Sequence, residues 1–419
     1  MVLEIRLSNF FSIKDEVALD FRAANINSAN AKALTDSIFE ETNTEILKTI
    51  AIYGANASGK SNIIKAIRFC NAMVFESHQH NENTLYNFQP FKFQGYDKKP
   101  STYFIRFINN GVEFEYSFML TRHKIISESL FYYPNGRITK IFTRDERLGT
   151  GKKDKYSFGD QIKRPMDVAE NTSEKTLFIS RASQMDREIG KDIFNYFHQK
   201  FILDYIGFGA SAIESLTNQN RLQLIEAIKT ADSDIVDVKI KMLKQPGKHY
   251  LADAKNLTLT VEDIVQDSIQ ITTYHKSSPS IPFDFLREES QGTIKLFFIM
   301  LTILDVVKNN KVLLIDEIED SLHPKIIEYI FKIFNTGEKA QLLCTTHNTQ
   351  FLNLKKFRKD QIYFANKKED GSTDLYSLFD YSDFRDTMDL EKAYLQGRFD
   401  AVPLLNDSPA TIYTLLHGK

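Results

Sequence analysis

Residues 54–61 read Gly54-Ala55-Asn56-Ala57-Ser58-Gly59-Lys60-Ser61 and satisfy G-x-x-x-x-G-K-[ST] at every fixed position. An apolar, β-branched run, Thr49-Ile50-Ala51-Ile52-Tyr53, precedes them, and Asn62-Ile63-Ile64-Lys65-Ala66-Ile67 follows with helical spacing. Strand, glycine loop and helix form the context in which this pattern binds phosphate, rather than a chance match on a surface turn. Glycines at 54 and 59 allow a tight turn, so that N–H groups of the loop and of Asn62 point at phosphate oxygens. The helix N-terminus adds partial positive charge. Lys60 is expected to reach the β- and γ-phosphates, and the Ser61 hydroxyl to hold Mg²⁺. A site for a nucleoside triphosphate and Mg²⁺ is the expectation.

Two later stretches fit such a site. Lys311-Val312-Leu313-Leu314-Ile315-Asp316-Glu317 is a continuous apolar run ending in two acids, as in a strand buried on both faces of a parallel sheet. At its C-terminal end Asp316 would serve the metal and Glu317 would act as general base toward water. Before it, Glu288-Glu289-Ser290-Gln291-Gly292-Thr293 opens an apolar helix from Ile294 to Val307. Ser290 and Gly292 at that helix tip would make an anion site from backbone N–H groups and one hydroxyl; in isolation they are a good helix cap. Gln341-Leu342-Leu343-Cys344-Thr345-Thr346-His347-Asn348 reads as another buried strand ending in polar residues.

The rest of the composition is quiet. The chain has 419 residues, 42% apolar and 26% charged, with a net charge of −2. Nothing in that balance announces nucleic-acid binding. Cys70 and Cys344 are far apart in apolar surroundings, which fits a reducing cytosol rather than a disulfide framework or zinc site. Glu4 and Arg6 interrupt the first apolar stretch, and the run Leu296–Leu304 is too short to cross a bilayer. A cytoplasmic protein without a membrane partner is expected.

Residues 2–7 alternate as a half-buried strand, and 17–21 resume the alternation. Residues 22–45 read as a loop. Strands are expected at 102–108 and 112–120 around Asn109-Asn110-Gly111, and at 124–133 and 137–143 around Pro134-Asn135-Gly136. Residues 144–175 read as a flexible connection. The stretch 187–245 has helical period, weaker from Asp232 to Leu243, and 257–274 returns to alternation. Lys239, Lys241, Lys244 and Lys248 read as a solvated helix face. The expected units are an N-terminal lobe (1–175), a helical insertion (176–250) and a C-terminal lobe (251–419).

Two strands ahead of the phosphate loop, with "NFFSIKD", "YGANASGKSN", "ESQGTIKLF", "LLIDEIEDSLHP", "LLCTTHN" and "KAYLQGRFDAVP", resemble the ABC-type ATPases of the SMC, RecF and OLD kind. Within them the chain is similar to the AAA-like abortive-infection AbiL and RloA group, to which the AriA ATPase of the PARIS anti-phage system is related. The resemblance implies an α/β P-loop NTPase of the ABC-ATPase type. Its core sheet would be mixed and largely parallel, with an N-terminal antiparallel β-subdomain and an inserted helical lobe. It implies that Ser290 and Gly292 form a diverged signature contacting the γ-phosphate held by a second copy. His347 would then be the switch histidine. The active unit would be a homodimer or higher homo-oligomer controlling a separately encoded nuclease or toxin; DNA or a phage-derived trigger are candidate further partners, and the trigger itself stays open. The Q-loop glutamine stays open between Gln89, Gln94 and Gln184. Asp383, Asp386, Asp389 and Glu391 lack the clustering of a nuclease centre, so a partner is expected to supply one. The competing reading is a RecF-like DNA-repair ATPase.

Overall fold

The computed structural model describes residues 1–203, 209–230, 234–253, 258–381, 383–385, 387–402 and 408–418. The run Thr49–Gly54 is buried along its whole length, as its β-branched residues favour. It lies inside a six-stranded sheet ordered Phe201–Ile202, Val312–Ile315, Gln341–Thr345, Thr49–Gly54, Ile362–Lys367, Thr373–Ser377. Every pairing is parallel except the last, between Ile362–Lys367 and Thr373–Ser377. Parallel pairing brings the C-terminal ends of three strands to one edge, and with them the phosphate loop, Asp316 and His347.

A second sheet is antiparallel throughout. Its seven strands run in the order Tyr156–Phe158, Thr139–Asp145, Ile125–Tyr133, Val112–Leu120, Ser101–Asn109, Val2–Ser8, Val17–Asp20. The hairpin expected at Asn110-Gly111 is present, with both residues at positive φ (51° and 74°). Side chains alternate across the parallel sheet. Ile50, Ile52, Leu314 and Leu343 join the core shared with the antiparallel sheet and the helix Lys60–Glu76. Ala51, Tyr53, Leu313 and Cys344 face the opposite core, with the helices Gln291–Lys308 and Pro324–Thr336. Buried Gln341 ties the two sheets: Val2 N donates to its Oε1 at 2.7 Å, and its Nε2 donates to Val2 O at 2.9 Å.

Three expectations change. Within 187–245 the expected helical period holds for Glu188–Asn195 and Ala210–Thr230, with the helix Phe178–Gln184 ahead of it; it fails at Phe201–Ile202, which is a short strand paired with Val312–Ile315, and again beyond Thr230. Ile235–Asp253 is a strand, paired antiparallel with Thr258–His275 from Ile235↔His275 to Asp253↔Thr258. Val238-Lys239-Ile240-Lys241-Met242 also alternates with period two, and pairing with the distant strand decides in its favour. Lys239, Lys241 and Lys244 are therefore exposed on a strand, not along a helix; the Lys248 side chain lies outside the described residues.

The stretch 144–175 is ordered rather than a loose connection. Arg144 is fully buried, 2.8 Å from Glu146 and 3.8 Å from Glu128, and donates to the carbonyls of Thr176 and Ser173 at 2.6 and 2.9 Å. A buried guanidinium must meet partners for its donors, and these carbonyls fix the chain that carries them. Residues 22–45 also hold a short helix, Ala29–Ala33, and a hairpin, Ile38–Glu41 with Thr44–Leu47.

Candidate nucleotide site

Gly59 starts the helix Lys60–Glu76 at φ 104°, and a Cβ there would lie 1.9 Å from Thr373 Oγ1. Gly54 has a second reason to lack a side chain, because a Cβ would lie 2.3 Å from Ala365 O. The loop is clamped from outside. Asn62 Nδ2 donates to Ser12 Oγ at 2.7 Å, Ser12 Oγ and Thr373 Oγ1 are 2.7 Å apart, and Thr373 Oγ1 donates to Ser58 O at 2.9 Å. The Asn9–Ser12 turn thus serves to brace the phosphate loop. Phe10 is buried against Phe69 and Phe88, whereas Phe11 is half-buried and lines a cavity beside Lys65 and Arg68.

Lys60 is buried and donates to the carbonyls of Gly54 and Ala55 at 2.9 and 3.0 Å. Burial lowers its pKa, against the pull of Glu319, Glu317 and Asp316. Ser61 Oγ donates to Asp316 Oδ1 at 3.1 Å, and Thr345 Oγ1 donates to the same oxygen at 2.6 Å. The sheet therefore joins the two motifs that the sequence keeps 255 positions apart. These are hard oxygen donors beside a buried cation and a glycine loop, a set that fits Mg²⁺ and a triphosphate. Glu317 is exposed at the strand end in the left-handed region (φ 52°), its N–H donating to Thr345 Oγ1 at 2.8 Å. His347 is exposed at the same edge; partial desolvation, then the Lys60 ammonium, lowers its pKa and leaves it neutral at pH 7.

Ser290 and Gly292 lie elsewhere. The Ser290 hydroxyl accepts from Thr293 N at 3.1 Å and caps the helix Gln291–Lys308. Both residues line a cavity of about 450 Å³ with Ser321 and His323. Ala55, Asn56 and Ser58 line a different one of about 500 Å³, so Ser290 and its own chain's loop share neither cavity. Gln184 bonds to Arg181 in the helix Phe178–Gln184, which packs by Ser77 beyond the far end of the phosphate-loop helix. The Gln89 carbonyl accepts from Phe11 N at 2.7 Å, and Gln94 sits in a turn at φ 57°. Among the described residues, none of the three glutamines bonds to Ser61 or Asp316.

Sequence reasoning passed over Glu319. Its Oε1 accepts from His347 N, while Oε2 is buried without a hydrogen-bond partner among the described residues, and its charge acts on Lys60. The only signal was a third acid two positions after Glu317. The stretch "KAYLQGRFDAVP" also gains a place. Phe399 stacks on Phe364 with centroids 4.7 Å apart, Tyr394 meets Tyr53 edge-on, and Gly397 and Asp400 reach the cavity beside Asn56.

No curated protein matches this chain. Among solved structures it is similar to an SMC head bound to the C-winged helix domain of ScpA (15% identity, TM-score 0.41, 94% of this chain and 99% of that one). It is also similar to the SMC head domain from Thermotoga maritima (16% identity, TM-score 0.38, 90% and 98%). No helix among the described residues is long and apolar enough to cross a membrane. Residues 50–353, from the phosphate-loop strand to just past His347, match the family described as AAA domain, putative AbiEii toxin, type IV TA system, and the chain belongs to that family.

Proposed function

We propose that this chain is an ATP-hydrolysing switch of a prokaryotic anti-phage defence system, closing as a dimer around ATP and controlling a separately encoded effector such as a nuclease. The contact between Ser61 and Asp316 carries the reading, because it unites a phosphate loop and an acid-tipped strand in one cleft. The loop residues Gly54 to Asn62 bind the phosphates through backbone N–H groups, and Lys60 neutralises their charge. Ser61 and Asp316 would hold Mg²⁺, which supplies charge neutralisation at the transferring phosphoryl group.

Glu317 takes a proton from water as the water oxygen bonds to the γ-phosphorus and the bond to ADP breaks. Neutral His347 donates or accepts one hydrogen bond beside that phosphate and keeps the water aligned. Ser290 and Gly292 meet the γ-phosphate of the second copy, which explains why they stand apart from their own loop. ATP then favours the closed dimer by binding it more tightly than the open chains.

Glu317→Gln tests the assignment. Turnover falls at least about 100-fold while dimers accumulate with ATP, read by phosphate release and by light scattering. Unchanged turnover removes Glu317 from the mechanism. Co-purification of a neighbouring gene product with the dimer tests the effector.

A further inference from the structure

The strand Thr258–His275 ends beside the Ser290 helix tip, and its last residue makes an unusual pair of contacts. His275 Nδ1 lies 2.6 Å from Asp234 Oδ1, and Nε2 lies 2.9 Å from Glu289 Oε1. Only an imidazolium can donate from both nitrogens, and here each faces a carboxylate oxygen. Thr273 Oγ1 donates to the same Glu289 oxygen at 2.5 Å, and the Phe283 ring packs on the imidazole with centroids 4.5 Å apart. Glu289 is the residue before Ser290. The long hairpin therefore grips the helix tip through a single carboxylate.

We propose that His275 is a positioning residue for the Ser290 tip, holding Glu289 so that hairpin and tip turn as one piece. This rests on the reading of Ser290 as a contact for the second copy's nucleotide. Through that grip, anything that tilts the hairpin changes how well the tip meets the γ-phosphate. The grip also depends on protonation, since neutral imidazole keeps at most one of the two donated bonds.

Burial opposes charge on His275, but its bonds to Asp234 and Glu289 outweigh burial and raise its pKa. The grip is therefore complete below the ordinary histidine value of about 6.5 and is lost as pH climbs through the raised one. Among the described residues, the titratable groups lining the cavity with it are Asp234 before the hairpin, Glu289, and His323. His323 Nδ1 accepts from Lys325 N at 3.2 Å and serves its own helix. Lys295, on the tip's helix, pairs with Asp320 at 2.8 Å.

The test uses the full chain carrying Glu317→Gln, which separates assembly from hydrolysis. ATP-driven dimerisation is measured by sedimentation from pH 6 to 9, alone and with His275→Gln or Asp234→Asn added. The parent loses roughly tenfold in dimer affinity on raising the pH, as one charge-assisted bond goes. With His275→Gln the dimer is already weak at pH 6 and its affinity is flat in pH. With Asp234→Asn the midpoint falls to lower pH, because one supporting charge is gone. A fluorescent ATP analogue binds dilute monomers of all three equally, which also shows that the variants are folded. If His275→Gln keeps the parent's pH profile, the inference is overturned and the dimer reading stands. If the parent forms no dimer with ATP at any pH, both fall.

Discussion

Lys60 is surrounded by three acids, and their separate attachments distinguish them. Asp316 is bonded to two hydroxyls, Glu317 stands exposed, and Glu319 reaches the N–H of His347. Exchanging Glu319 for Gln keeps an oxygen for that N–H and removes one negative charge from beside the phosphate site. ATP affinity is then expected to rise roughly fivefold, since a repulsive charge is gone. Turnover is expected to fall roughly tenfold, since His347 loses its charge-assisted anchor. Equilibrium binding and steady-state hydrolysis read the two effects apart; a drop in both would place Glu319 among the groups that support Mg²⁺ instead. The acid was visible in the sequence, but its partner was not. Contact between positions 319 and 347 comes from two strands ending at one sheet edge.

At the scale of elements, the hairpin of Ile235–Asp253 and Thr258–His275 is the clearest case of tertiary context overriding a local pattern. Its base is buried: Ile235, Val238 and Ile271 join the core on the helix side of the parallel sheet, with Ile240 and Ile269 packed against it. Beyond them Lys244 pairs with Asp267 and Val265 is exposed. Among the described side chains, the hairpin's contacts with that core stop at Ile240 and Ile269. Replacing residues 245–266 by Asn-Gly, a two-residue turn between paired positions, should move the melting temperature by no more than about 2 °C and leave nucleotide binding unchanged. A larger fall would mean that the outer strands carry packing energy. The connection 144–175 teaches the reverse lesson. Its polar composition suggested mobility, yet buried Arg144 orders it by meeting Glu128, Glu146 and two carbonyls. Removing one partner of such a buried group is costly.

For the whole molecule, the question is what makes two sheets behave as one body. Gln341 lies between them, fully buried, and satisfies both backbone groups of Val2. Tyr363 adds a second tie by accepting from Asp20 N at 3.0 Å. Gln341→Leu would strand the Val2 N–H and C=O in the core at a cost of about 2–4 kcal/mol in unfolding free energy. Urea denaturation should show the lower midpoint; an unchanged one would mean the sheets are held by apolar packing alone.

By itself the sequence determined the phosphate loop, the acid-tipped strand and the alternating strands of the antiparallel sheet. In each of these the signal is local: glycine freedom, a buried apolar run, or period two. The tertiary structure alone decided what meets across long separations. It brought Ser61 to Asp316, Glu319 to His347, the aromatic stretch around Phe399 to the phosphate-loop strand, and His275 to the residue before Ser290. Those contacts depend on strand order and pairing, which burial of the whole chain sets and no short stretch encodes.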